Sequence, residues 1–172
     1  MSEEFLPIDR FLETLRIVSK EGVHLSYSWK RLYENTIDAD YINTLNNDPE
    51  ASIVLEAFVS RYGRMQDTIA DKLLPRWLQA LAEAPGSQID VLNRAERLGV
   101  LEDVETWLAA RKLRNRLVHE YMESEHEFAS DLLLAKEFSQ LFIDLYTKIR
   151  TYTKDRMQVS EEKLPQELNA LQ

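Results

Sequence analysis

Apolar residues recur at three- and four-residue intervals along nearly the whole chain, and this periodicity restricts the fold more than any other feature. The longest run carries Phe128, Leu132, Leu133, Phe138, Leu141, Phe142, Leu145 and Ile149. Such a stripe buries one side of a helix and reads as core rather than as a cofactor box. Ile8, Phe11, Leu12, Leu15 and Val18 repeat the pattern near the start, and Leu55, Phe58, Val59, Tyr62, Ile69 and Leu73 repeat it in the middle. No alternation of period two is long enough to define a strand. Four glycines and five prolines are too few for a loop-rich β-sandwich. The expected fold class is all-α, an up-and-down antiparallel helical bundle.

Local signals place the helix ends. Gly22 reads as the end of the first helix, with Val23 to Tyr33 resuming it. Residues 35–47, rich in Asn and Asp, read as a connection with a short helix around Tyr41 to Leu45. Asp48-Pro49-Glu50 is a helix start, with a capping acid and proline at the first helical position. Pro75 is expected to kink or split that helix by pushing Leu74 out of helical geometry. Ser87 caps a shorter helix ending near Gly99, and Glu102 with Asp103 opens the next. Ser124 with Glu127 reads as a capping box for the last helix. The bundle is expected over residues 1–157. The polar segment 158–172 is expected as a tail that is loosely attached or folds only on a partner.

A chain of 172 residues, 44% hydrophobic, forms one domain with one core. It has no cysteine, which removes thiolate nucleophiles and Cys-based zinc sites and suits a reducing cytoplasm. No secretory signal and no apolar run of membrane-spanning length is visible. The net charge of −9 opposes non-specific binding of nucleic acid. Against that field, Arg111, Lys112, Arg114 and Arg116 gather four cations within six residues.

The cations lead into the segment Leu113-Arg114-Asn115-Arg116-Leu117-Val118-His119-Glu120-Tyr121. At about 100° per residue, Trp107, Ala110, Leu117, Val118 and Tyr121 share one side of a helix with Arg114 in their midst. An arginine in an apolar stripe snorkels, or meets a carboxylate or a bound phosphate. Arg114 and His119 are about 140° apart on an ideal helix, so they converge only if the helix ends near His119 or a second subunit completes the site. A helix C-terminus beside His119, with Glu120 and Glu123, favours the imidazolium and suits general acid-base work. A capping histidine with a stability role only is the plainer alternative. His24 and His126 share no metal-ligand spacing with it, and no HExxH pattern occurs.

This segment resembles the R-x4-H-x-Tyr signature of the HEPN superfamily, in the branch containing HepT-type toxins and the substrate-binding partners of minimal nucleotidyltransferases. The specific match covers about residues 107–122. The resemblance implies a homodimeric bundle with facing motifs that cleaves RNA without a metal or cofactor. Arg114 and His119 would be the catalytic pair, supported by Asn115. The charge run itself reads either as a solvated basic face or as a phosphate-binding one, in which Arg111, Lys112 and Arg116 hold the RNA backbone. In HepT-like pairs a nucleotidyltransferase antitoxin transfers AMP to the motif tyrosine, which here would be Tyr121. Two readings stay open: an endoribonuclease toxin, and a non-catalytic binding partner of a nucleotidyltransferase. A purely structural bundle leaves Arg114 unexplained.

Overall fold

The computed structural model describes residues 6–119 and 124–172. Helix α1 runs unbroken from Pro7 to Tyr33, entered from an extended Leu6 with proline in the first turn. Phe11, Leu15, Val18, Leu25 and Leu32 are wholly buried along one side. The expected break at Gly22 is absent, because a lone glycine costs a helix only about 1 kcal/mol. Its smallness serves a crossing instead. A Cβ at position 22 would lie 2.4 Å from Cδ1 of Leu168 and 3.3 Å from Cε of Met65.

Asp38 caps the short helix α2, Ala39–Thr44, by accepting from the Tyr41 amide at 2.8 Å. After a 3₁₀ turn over Leu45–Asn47, Asp48 accepts from the Ala51 amide at 3.1 Å and starts α3, Pro49–Thr68. A π-helical turn over Ile69–Leu73 then leads directly into α4, Leu74–Ala80. The expected displacement of Leu74 is corrected here: it keeps helical angles, φ −64° and ψ −46°. The wide turn makes room for the ring of Pro75 where a normal turn would press it against the preceding carbonyl. The rod continues, and Trp77 is buried against Tyr152 with ring centroids 5.1 Å apart.

Ser87 and Asp90 form a complete capping box for α5, Gln88–Arg97, which is followed by Gly99 at φ +81°. Asp103 accepts from the amides of Glu105 and Thr106 and starts α6, Val104–Leu117. Ser124 caps α7, Glu125–Asp155. Among the described residues there is no strand, and no helix is long and apolar enough to cross a membrane.

Pairings along the helices fix their directions. Arg76 meets Thr14, Thr68 meets Glu21, and Arg61 meets Ser28, so the α3–α4 rod runs antiparallel to α1. The Trp29 indole donates to the Lys136 carbonyl at 3.0 Å and the Tyr33 hydroxyl to that of Leu132, setting α7 antiparallel to α1. Arg116 meets Asp131 while Trp107 packs on Phe142, so α6 and α7 are antiparallel too. Tyr62, Trp107 and Phe142 join the layers at the centre, with the Tyr62 hydroxyl donating to the Ala110 carbonyl at 3.1 Å.

The C-terminal segment is not loosely attached. The buried Arg150 donates through Nε to the Pro165 carbonyl at 2.7 Å and pairs with Glu161. Tyr146 donates to the Gln166 carbonyl at 2.6 Å, and the Leu171 amide donates to Gln140 at 2.7 Å. Leu164, Leu168 and Leu171 pack on the core. The leucines stand four and three residues apart, a helical spacing, yet the segment is not an α-helix and they seat a strap across α7 and α1.

Candidate functional site

The core stripe of α6 is Trp107, Ala110, Leu113 and Leu117, all fully buried. This corrects the expected stripe, which included Val118; that side chain is 53% exposed. Leu113 takes its place and rotates the helix, so Arg114 sits at the edge of the buried face. From there its side chain crosses α3 at Gly63. A Cβ on Gly63 would lie 3.1 Å from Nε of Arg114 and 3.4 Å from its Cγ. The glycine is therefore a saddle for the arginine.

The guanidinium is held at its tip. Nη2 donates to Oδ2 of Asp67 at 2.8 Å, and Nη1 points at Oδ1 of Asn115 at a long 3.4 Å. Nε is enclosed and has no hydrogen-bond partner. The Arg114 and Asp67 side chains remain 35% and 46% exposed. An ion pair this wet is worth about 0–1 kcal/mol, so a competing anion can displace the aspartate.

Arg114 and Asp67 line an open groove of about 590 Å³ between α3 and α6. Val59 and Val118 supply apolar wall. Glu56, Asp67 and Asp71 face Arg64, Lys72 and Arg114, so the charge in the groove is mixed rather than uniformly basic. Ion pairing within it leaves donors and acceptors displayed side by side, a surface suited to a polar ligand with one strong negative group.

The other expected residues spread out from α6. Arg111 turns to Gln88 of α5, whose amide donates to Asp71 at 2.9 Å. Arg116 forks onto Asp131 of α7 at 3.0 and 3.1 Å, a hydrogen-bonded pairing that raises its pKa further. Lys112 is exposed. The four cations thus point in separate directions, as the 100° step per residue dictates, and only Arg114 enters the groove. α6 ends at Leu117, so His119 follows a helix C-terminus as expected. Its amide donates to the Arg116 carbonyl at 3.1 Å and its side chain is exposed. His119 does not line the groove, and no hydrogen bond joins it to Arg114. Tyr121, together with Glu120 and Glu123, lies outside the described residues.

Gly63 and Asp67 are the site residues that sequence reasoning missed. A lone glycine inside a helical pattern does mark a close approach, and that signal was available at Gly63. Nothing local distinguishes Asp67 from the other acids of α3. Comparison of the chain with protein-family models, curated proteins and solved structures finds no match.

Proposed function

We propose that this protein is a metal-independent endoribonuclease of the HEPN type, the toxin of a pair whose nucleotidyltransferase antitoxin modifies Tyr121. One observation carries the reading: a partly exposed guanidinium is delivered into an open groove over a glycine saddle, held by an ion pair that a phosphate can replace. Arg114 receives the scissile phosphate and offsets charge growing on its oxygens. The neighbouring 2′-hydroxyl attacks phosphorus, a P–O2′ bond forms, and the P–O5′ bond breaks. His119 takes the 2′ proton and returns it to the departing 5′ oxygen. Asn115 steadies the guanidinium from one residue along. The acting form is a homodimer in which the turn carrying His119 of one copy approaches the groove of the other. AMP on Tyr121 adds bulk and a phosphodiester anion, competing with RNA for Arg114.

A second reading has its own support. Asp67 occupies Arg114, and Glu56 and Asp71 also line the groove, an arrangement that weakens phosphate binding. It favours a non-catalytic partner of a nucleotidyltransferase. The test is cleavage of single-stranded RNA in EDTA. The nuclease reading expects cleavage by wild type, none by His119→Ala, and a loss of at least about a hundredfold in Arg114→Ala. Cleavage that survives His119→Ala in a folded protein refutes the mechanism, and no cleavage by wild type selects the second reading. Co-expression with the antitoxin should add AMP to Tyr121 by intact mass, and Tyr121→Phe should escape it.

A further inference from the structure

The outer seam between α1 and α3 carries a second, unassigned surface. On α1, Lys20, His24, Tyr27 and Arg31 are exposed and spaced four, three and four residues apart. That spacing lines them along one helix face for about 16 Å. Tyr27 is 61% exposed, a large ring with no core to explain it, and Arg31 reaches its hydroxyl oxygen at 3.4 Å. From α3, Arg61 is fixed across the seam: Nη1 donates to the His24 carbonyl at 3.2 Å and to the Ser28 hydroxyl. One turn further, Arg64 stands beside it.

The seam holds a depression of about 230 Å³ lined by Glu21, His24, Arg61 and Arg64. Arg64 also lines the α3/α6 groove, so the two depressions meet at this side chain. The one carboxyl in the seam depression, Glu21, is half buried. Burial raises its pKa, against a bond from Thr68 at 2.9 Å and the charges of Arg64 and Lys72. Lys20, Arg31 and Arg64 form no salt bridge among the described residues.

We propose that the α1/α3 seam is a binding path for single-stranded RNA that leads past Arg64 to Arg114. Cations spaced along a face track a phosphate backbone, and an exposed aromatic ring among them stacks on a base. An acidic protein segment would use the cations but not the ring. A duplex is disfavoured because its bases are already stacked. The inference rests on the nuclease reading for its destination, though not for its binding chemistry.

The test is fluorescence anisotropy with a fluorescein-labelled 2′-O-methyl RNA of about sixteen nucleotides, which binds but cannot cleave itself. Wild type is compared with Lys20→Ala/Arg31→Ala, Tyr27→Ala and Arg64→Ala, all at exposed positions and checked by thermal melts. The double variant should bind at least tenfold more weakly, and its log affinity against log salt should flatten by about 1.4, since each cation contributes about 0.7 on a single strand. Tyr27→Ala should weaken binding about fivefold or more. Unchanged binding in the double variant overturns the path, as does a wild type that does not bind the probe. Equal competition by a poly-glutamate peptide, with no effect of Tyr27→Ala, overturns it in favour of an acidic protein. Cleavage of unmodified RNA is scored separately. Cleavage with binding indifferent to the seam refutes the path alone, while seam-dependent binding without cleavage refutes the nuclease alone.

Discussion

Gly63→Ala should separate stability from activity. Position 63 lies well inside α3, where alanine is worth about 0.8–1 kcal/mol over glycine in backbone freedom. The new methyl would meet Arg114, 3.1 Å from Nε and 3.4 Å from Cγ. The contact to Nε is a few tenths of an ångström too close, while that to Cγ is near ordinary contact distance. The yielding partner is the outer part of a long side chain, held by an ion pair worth about 1 kcal/mol at most. Displacing it also lets the enclosed Nε reach water. The expected stability change is therefore between zero and a gain of about 1 kcal/mol, or a rise in Tm of up to about 2–4 °C. The guanidinium, however, moves off its seat. A misplacement approaching 1 Å costs a catalytic group about a hundredfold, so RNA cleavage should fall about ten- to a hundredfold. The assay pairs urea denaturation with initial rates of cleavage. A loss of more than about 1 kcal/mol would mean that the saddle is rigid and the arginine cannot give. Unchanged cleavage in a stabilised variant would show that the seat of Arg114 does not matter to the chemistry.

Further predictions concern the strap and Glu21. Arg150→Met leaves the Pro165 carbonyl without its donor and frees Glu161 to return to water, so the loss should be about 1–3 kcal/mol with faster cutting by a glutamate-specific protease within residues 157–172. Arg150 and Lys154 hold the Glu161 carboxyl below its ordinary value of 4.5. Glu161's contribution to strap attachment is thus fully present above that pH and is lost as pH falls through the lower folded value, which hydrogen exchange of residues 161–171 would follow. Glu21 has the opposite sign. Burial raises its pKa, so its contribution is present below 4.5 and is lost as pH rises through the folded value. Glu21→Gln should therefore be the more stable protein at pH 7, with the advantage vanishing near pH 4; equal pH profiles by thermal melt would refute this.

Features written in adjacent residues were legible in the sequence. The capping acids at Asp48 and Asp103, the serines at Ser87 and Ser124 and the apolar stripes announced helices and core directly. What misled was any residue whose reason lies far along the chain. Gly22 looks like a helix end until Leu168 arrives beside it. Pro75 looks like a break, but the preceding turn widens to absorb it. The strap looks polar because its three leucines are diluted by charged neighbours. For the site, the arginine was legible as a misfit in a stripe, but its partner was not. Asp67 becomes a site residue only because two helices cross at Gly63.

The strap has a consequence of timing. Leu168 seals against Gly22, and roughly 150 residues separate them. At about 5–20 residues per second of synthesis, α1 waits roughly seven to thirty seconds for the segment that closes over it. During that interval α3 and α4 can pack on α1 while its flank at Gly22 and Met65 stays open to water. Helix α1, made well before the strap, is thus among the last of these surfaces finished. Until the strap is made, the growing chain carries an uncovered apolar notch at Gly22 and Met65.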